Sequence, residues 1–164
     1  MRVASVVVAA LALASAAAAA AAPPGAGVLV PGRSLGGIEL GAGKAQVEVR
    51  WGRAYGVCRS CEHETWYFNF YAFQPRGAAV EYRQNRVAAI FTLYQPLGWH
   101  TRKGLKLGDP QARVTQLYGP LVRRRCAGYE ALELPGRRAT TAFYVLDDRL
   151  WAFGLAGNGL PLCR

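Results

Sequence analysis

The residues that could carry out chemistry are concentrated in one short segment, CRSCEHE, at residues 58–64. Cys58 and Cys61 are separated by two residues, the spacing of a thiol–disulfide redox pair, and His63 adds a third ligand of the kind that zinc binds. A redox pair needs the start of a helix that follows a strand, because the helix dipole lowers the thiol pKa. Here the pair follows a predicted helix and precedes a predicted strand. The sequence therefore favours a short structural disulfide, with a CxxC-centred thiol–disulfide or zinc-dependent activity as the alternative.

The rest of the sequence offers no catalytic constellation. Asp147 and Asp148 are the only adjacent aspartates, and they lie in a predicted hairpin turn, where this composition is expected. Neither histidine belongs to a nucleophile motif. Zinc would need a fourth ligand that only the fold could bring close, from His100 or Cys126. We therefore expect a protein that is not an enzyme and that holds no metal and no cofactor.

The N-terminal segment has the composition of an export signal. A basic start at Arg2 is followed by an apolar stretch at residues 3–13 and a small-residue stretch at residues 15–22. Residues 3–22 are also about long enough to span a bilayer, so an uncleaved anchor is the alternative. Weak membrane insertion of alanine and the prolines that follow favour cleavage. We expect a signal peptide at residues 1–22, a linker at residues 23–35 and a secreted mature protein.

Cysteine content fits an exported chain. The four cysteines are Cys58, Cys61, Cys126 and Cys163, and an even number in an oxidising compartment predicts two disulfides. The sequence allows three pairings. The simplest of them joins Cys58 to Cys61 and Cys126 to Cys163.

Positive charge is the main compositional bias of the chain. It has 20 lysines and arginines against 10 aspartates and glutamates, a formal net charge of +10. Such a charge attracts anionic partners, among them an anionic envelope polymer. The arginines are scattered except at residues 123–125 and 137–138, which favours a solvated surface over a dedicated anion site. A nucleic-acid partner does not fit, because no RNA-binding motif accompanies the charge and the chain is predicted to be exported.

Two stretches 67 residues apart share one pattern: GIELGAGKAQVEVRWG at residues 37–52 and GLKLGDPQARVTQLYG at residues 104–119. Each predicts a short helix that ends at a glycine, because glycine readily takes the left-handed conformation of a helix end. Asp109 is the predicted N-cap of the second helix. The alignment needs no gap and predicts a tandem duplication.

Three strand-like segments follow each predicted helix, at residues 65–73, 78–83 and 86–94 and again at residues 129–134, 139–146 and 149–155. Polar turns, RQNRV and LDDRL, connect the last two segments of each set. The predicted fold is α+β: two tandem helix-plus-three-stranded-meander repeats, at residues 36–97 and 98–164. Their strands would form one antiparallel sheet with both helices on one face.

The shared phrase G-(I/L)-x-L-G-x-x-x-x-x-V-x-x-x-(W/Y)-G resembles the helix motif of the SmpA/OmlA (BamE-like) outer-membrane assembly lipoproteins. It is also similar to that of the beta-lactamase inhibitory proteins, in which two such units stand in tandem. The resemblance implies a sheet whose open face binds other proteins. The chain departs from the pattern at Ala42 and Asp109, where family members often have a bulky residue, and it has no lipidation cysteine. No inhibitory residue carries over.

The aromatic segment TWYFNFYAF at residues 65–73 indicates which sheet face binds. Alternation places Trp66, Phe68 and Phe70 on one face, against the helices, and Tyr67, Asn69, Tyr71 and Phe73 on the open face. The alternative is that both faces are largely core, or that the tyrosines cap an ordinary solvated sheet. Tyrosine and arginine on a rigid sheet are typical anchors of protein interfaces. The predicted partner-binding residues are Tyr67, Asn69, Tyr71, Glu81, Arg83 and Tyr144.

Together these patterns predict a secreted, non-catalytic protein-binding module. Inhibition of a secreted or periplasmic enzyme, such as a beta-lactamase, is one specific version of this function. The alternatives are the CxxC-centred activity and a structural cell-envelope protein that binds anionic wall polymers.

Overall fold

The protein, described here from a computed structural model, is built mainly of β-strands. The structure describes residues 26–68, 77–93 and 98–163. Within these ranges it has twelve strands and two helices. In chain order they are β1 Gly27–Val30, β2 Ser34–Leu35, β3 Ile38–Glu39, α1 Lys44–Trp51, β4 Gly56–Cys58, β5 Thr65–Phe68, β6 Gly77–Arg83, β7 Arg86–Leu93, β8 Trp99–Thr101, α2 Gln111–Tyr118, β9 Val122–Arg125, β10 Glu130–Pro135, β11 Ala139–Leu146 and β12 Arg149–Gly157.

The strands form two sheets. The larger is antiparallel, with the eight-strand order β4-β5-β6-β7-β12-β11-β10-β9, and the smaller has the order β3-β2-β1-β8. In the larger sheet β7 pairs with β12, so the four strands after α1 lie beside the four strands after α2. In the smaller sheet β1 pairs with β8 in parallel, which joins two distant parts of the chain.

Two matching hairpins fix the register at the middle of the larger sheet. Gln84 and Asn85 connect β6 to β7, and Asp147 and Asp148 connect β11 to β12; all four have φ between 49° and 59°. Positive φ at both central residues is the turn geometry that suits the twist of a two-residue hairpin, and Asn and Asp tolerate it. The predicted polar turns are thus confirmed. Each hairpin also has a bulge close to its turn.

Both helices lie against one face of the larger sheet through a few buried residues, Val47 and Trp51 on α1 and Val114 on α2. They end at Gly52 and Gly119, as predicted, with φ of 81° and 78°. The predicted cap at the start of α2 is wrong. Pro110 occupies the N-cap position, and the Asp109 carboxylate instead accepts a hydrogen bond from the Lys106 amide at 2.9 Å and pairs with Arg113 at 3.3 Å.

The predicted α+β fold of helix-plus-three-stranded-meander repeats is wrong. Four strands of the larger sheet follow each helix rather than three, the helices have only eight residues each, and the structure has a second sheet that the repeat pattern did not predict. The missed strands β4 and β9 are the edges of the larger sheet, and their exposed residues show no apolar alternation. The missed strands β1, β2, β3 and β8 have two to four residues each. The tandem duplication itself stays a prediction.

Candidate binding site on the open sheet face

A pocket of about 420 Å³ lies on the face of the larger sheet that the helices do not cover. It extends from the strands after α1 to the strands after α2, so both halves of the sheet contribute to it. We call it the sheet pocket. The described residues that line it are Cys61, Glu62, His63, Thr65, Tyr67, Glu81, Arg83, Phe91, Thr92, Tyr129, Tyr144, Trp151 and Pro161.

Small side chains make up much of the open face on the central strands. The apolar cluster on this face consists largely of fully buried alanines: Ala79, Ala89, Ala131, Ala142, Ala152 and Ala156. Gly154 continues this series on β12. A Cβ atom there would lie 2.5 Å from the Tyr144 hydroxyl oxygen, so only glycine lets that ring lie across the strand.

Aromatic side chains on both halves form the walls of the pocket. On the first half the rings of Tyr67 and Phe91 meet edge to face, with centroids 6.4 Å apart. On the second half Tyr129 packs against Tyr144 at 5.7 Å and against Trp151 at 5.4 Å. Such contacts favour a defined relative orientation of the rings.

The C-terminal segment forms a further wall and is held by a disulfide. Cys163 is bonded to Cys126, and the Tyr144 hydroxyl donates a hydrogen bond to the Leu162 carbonyl at 2.6 Å. Leu162 belongs to the apolar cluster of this face, and Pro161 lines the pocket. The disulfide closes a sequence separation of 37 residues, for which the loop-entropy argument gives a stabilisation of about 3–4 kcal/mol.

The second disulfide shapes the opposite rim. Cys58 is bonded to Cys61, which closes the tight turn between β4 and β5 and brings His63 to the pocket. The Cys61 sulfur lies 3.8 Å from the Tyr67 hydroxyl. The structure thus has the simplest of the three pairings that the sequence allows. In this bonded form neither sulfur is a thiolate, the form that binds zinc or attacks a disulfide.

Charged groups at this rim form one chain of contacts. Glu81 is 5% exposed, and the Arg83 guanidinium lies 3.9 Å from its carboxylate. The same guanidinium donates a hydrogen bond to Nε2 of His63. Arginine has no acceptor, so Nε2 is the acceptor in this contact, and the same nitrogen lies 3.4 Å from the Glu62 carboxylate. The imidazole is therefore engaged in positioning Arg83 rather than placed beside a nucleophile. Within the described ranges no three His, Cys, Asp or Glu side chains are grouped to hold a metal ion.

The sheet pocket brings together four of the six predicted partner-binding residues. Tyr67, Glu81 and Arg83 line one side, and Tyr144 lies buried on the other side. The remaining two, Asn69 and Tyr71, lie outside the described residues.

Sequence reasoning missed Phe91, Tyr129 and Trp151 as pocket residues. The one signal for them was aromatic character close to Cys126 for Tyr129 and close to the two polar turns for Phe91 and Trp151. Trp151 is the extra residue of the β12 bulge, so a regular alternation of faces does not place it.

No protein-family model matches this chain, and no curated protein matches it. Two solved structures are similar to it in fold. A DUF4309 family protein (YjgB) from Bacillus subtilis subsp. subtilis str. 168 has a TM-score of 0.53 and 14% identity, covering 71% of this chain and 79% of that one. An extracellular protein containing a SCP domain from Bacillus anthracis str. Ames has a TM-score of 0.50 and 9% identity, covering 73% of this chain.

The present chain spans only 44% of the SCP-domain protein. At such identities the likeness shows the fold alone. No helix in the described part of the chain is long and apolar enough to cross a bilayer. The predicted signal peptide at residues 1–22 lies outside the described residues.

Proposed function

We propose that this protein is a non-catalytic binding protein of an extracytoplasmic compartment, and that its partner is another protein that inserts side chains into the sheet pocket. The observation that carries the proposal is the construction of this pocket. Aromatic side chains from both halves of the sheet line it, they pack with the buried alanines of this face in one apolar cluster, and the two ends are each held by a disulfide. A rigid, preformed concavity is what a binding site needs to keep the entropic cost of association low.

The residue types favour a protein partner. Tyrosine, tryptophan and arginine dominate the energetics of protein interfaces, and here they come together as Tyr67, Tyr129, Trp151 and Arg83. A volume of about 420 Å³ accommodates one or two side chains of a partner. The charged rim would set the orientation of that partner. Inhibition of an enzyme such as a beta-lactamase is a specific version, for which the sequence resemblance is the only support.

The proposed compartment rests on chemistry that is independent of the pocket. Two disulfides persist in oxidising surroundings, and the first residues have the composition of an export signal. One of the two similar structures is an extracellular protein. Mass measurement of the purified protein with and without alkylation tests this assignment. If no cysteine is alkylated, all four are in disulfides, which supports the extracytoplasmic assignment. If two cysteines are alkylated as free thiols, the result instead favours the CxxC-centred activity.

The binding proposal is tested by affinity capture with matched variants. The exported protein is immobilised as wild type, as Trp151→Ala and as Tyr67→Ala, and is exposed to its own secreted and envelope proteins. The control is Val49→Ala, because Val49 is 89% exposed on α1, away from the sheet pocket. We expect the immobilised wild type and the control to retain the same partner protein in equal amounts. In direct titration, that partner should bind Trp151→Ala about 30-fold more weakly than wild type.

Circular dichroism and thermal melting establish that each variant is folded before its binding is compared. Equal titration curves for all four proteins would refute the sheet pocket as the binding surface. Native mass spectrometry adds a second test. A small molecule that occupies the pocket of the wild type and is lost from Trp151→Ala would replace the protein partner with a small ligand.

A further inference from the structure

A second cavity, of about 580 Å³, lies against the smaller sheet and shares no described lining residue with the sheet pocket. It is formed by β1, β8, the turn between β2 and β3, and the end of α1. We call it the basic cleft. The described residues that line it are Val28, Val30, Ser34, Gly36, Gly37, Arg50, His100, Thr101, Arg102 and Gly104.

The basic cleft has cationic groups and no carboxylate. Arg50, His100 and Arg102 line it, and all ten acidic residues of the chain lie within the described ranges without contributing to it. Six of the twelve other arginines in the described ranges are paired with a carboxylate. Across the described residues, neither Arg50 nor Arg102 forms such a pair. Two guanidinium groups at one cavity repel each other unless an anion lies between them.

Glycine geometry positions one of these cations. Gly37 has φ of 79°, and a Cβ atom there would lie 2.8 Å from Nε of Arg50 and 3.1 Å from its Cζ. The guanidinium therefore lies directly on the Gly37 backbone, which is possible only because glycine has no side chain. Gly104, also at φ of 79°, lines the same cleft. These two glycines begin the two stretches that share a pattern 67 residues apart, and the sheet pocket gives them no role.

The imidazole is also oriented. Nδ1 of His100 lies 3.0 Å from the Gly98 carbonyl oxygen, so Nδ1 donates and Nε2 is the nitrogen left to meet a ligand. When the ring is protonated, Nε2 becomes a donor as well. The cleft therefore combines the guanidinium groups of two arginines with one imidazole. Its glycines have no side chain, so they leave the backbone accessible there.

We propose that the basic cleft binds a phosphate group, either as the free ion or as an ester within a polymer. Arginine forks match the oxygen spacing of phosphate and bind it through paired, charge-assisted hydrogen bonds. A doubly charged tetrahedral anion would neutralise Arg50 and Arg102 together. This site is independent of the function proposed for the sheet pocket, and it differs from a general attraction of the +10 chain for anions because it depends on particular residues.

The test titrates the exported protein with inorganic phosphate by calorimetry, at constant ionic strength set with sodium chloride so that screening does not change. We expect saturable binding with one phosphate per chain. The double variant Arg50→Gln/Arg102→Gln should bind at least about tenfold more weakly. Arg59→Gln is the control, since Arg59 is exposed, forms no ion pair in the described part of the chain and lies outside the cleft.

A second arm uses a linear polyphosphate. Binding that is tighter per chain than inorganic phosphate, and that the double variant loses, assigns the cleft to phosphate groups of a polymer. If polyphosphate and inorganic phosphate bind with equal affinity per phosphate group, the basic cleft is assigned to the free ion. Absence of saturable phosphate binding overturns the proposal. So does a loss of phosphate affinity in Arg59→Gln that equals the loss in the double variant, because the attraction would then be nonspecific. Arg102→Gln alone, at an exposed residue, repeats the comparison if the double variant is unfolded.

Discussion

The two faces of the eight-stranded sheet are made by alternate residues of the same strands, yet they are filled in different ways. Toward the helices the strands present large side chains, among them Trp66, Phe68, Phe143 and Phe153, all at most 4% exposed. Toward the open side the same strands present mainly alanines and one glycine, together with Phe91 and Tyr144. Large residues fill one face as a core, and the other face combines small residues with the aromatic residues that line the sheet pocket.

This difference separates stability from recognition. Apolar burial on the helix-covered face supplies the main driving force for folding, because free energy scales with the apolar area removed from water. The open face contributes less apolar volume in its centre and is held at its two ends by disulfides. Substitutions on the two faces should therefore have different consequences, which can be measured separately.

The largest effect is expected from Phe143→Ala. This ring is 0% exposed and packs against Phe153 at 6.1 Å and Tyr118 at 4.7 Å, so its removal leaves a cavity that the rigid sheet cannot close. We expect a loss of about 3–5 kcal/mol in the free energy of unfolding, measured by denaturant titration.

The matched substitution on the open face is Tyr67→Ala, at a half-buried ring. It should cost less than half as much stability, since part of that ring already faces solvent. Equal losses for the two variants would show that the open face is as much a core as the helix-covered one, and the comparison would fail.

A smaller effect is expected from Gly154→Ala, which fills space on the open face. The new methyl group would lie 2.5 Å from the Tyr144 hydroxyl oxygen and 2.9 Å from Cζ of the same ring, so the ring must move. That movement breaks the hydrogen bond from Tyr144 to Leu162. We expect a loss of about 1–3 kcal/mol, the usual cost of overpacking, together with weaker partner binding.

Thermal melting and titration of the captured partner measure these two consequences of Gly154→Ala. The control is Ala152→Gly, two residues away on the same strand and the same face, which removes a methyl group instead of adding one. If Gly154→Ala melted and bound like the wild type, Tyr144 would not be a wall of the sheet pocket.

Local patterns in the sequence predicted the faces of the sheet where the strands are regular. Strict alternation in TWYF placed Trp66 and Phe68 toward the helices and Tyr67 on the open side, as the structure has them. The polar turns and the glycines that end the helices were equally local. Each depends on the conformational preference of one or two residues, so no knowledge of the rest of the chain is needed.

Features that depend on distant parts of the chain were not predictable. The bulge at Trp151 shifts the alternation by one residue, so Leu150 faces the helices while Ala152 faces the open side. The parallel pairing of β1 with β8 joins segments more than 70 residues apart and leaves no local signal. The basic cleft depends on that pairing, because it brings His100 and Arg102 beside the turn that carries Gly37. Arg50 and Arg102 are therefore far apart in the sequence but line the same cavity in the fold.

The smallest effect on stability is expected at Glu64, which forms an ion pair with Lys44 at the margin of the helix-covered face. Its carboxylate accepts hydrogen bonds from Lys44 at 2.6 Å and from the Trp66 indole at 2.8 Å, which ties α1 to β5. The hydrogen bond from Lys44 lowers the pKa of Glu64 below its ordinary value of 4.5, against the opposing effect of partial burial. A carboxylate with a lowered pKa in the folded state stabilises the fold above its unfolded pKa and loses that contribution as the pH falls through the folded one.

Glu64→Gln keeps the acceptor for the indole but cannot ionise, so it isolates this contribution. At pH 7 we expect the variant to be less stable than wild type by under about 1 kcal/mol, because the pair is partly exposed to solvent. The two free energies of unfolding should converge as the pH is lowered below the ordinary value of 4.5. A difference that stayed constant from pH 7 to this range would mean that packing, rather than charge, distinguishes the variants. The margin of the helix-covered face would then be held by contact alone, like its centre.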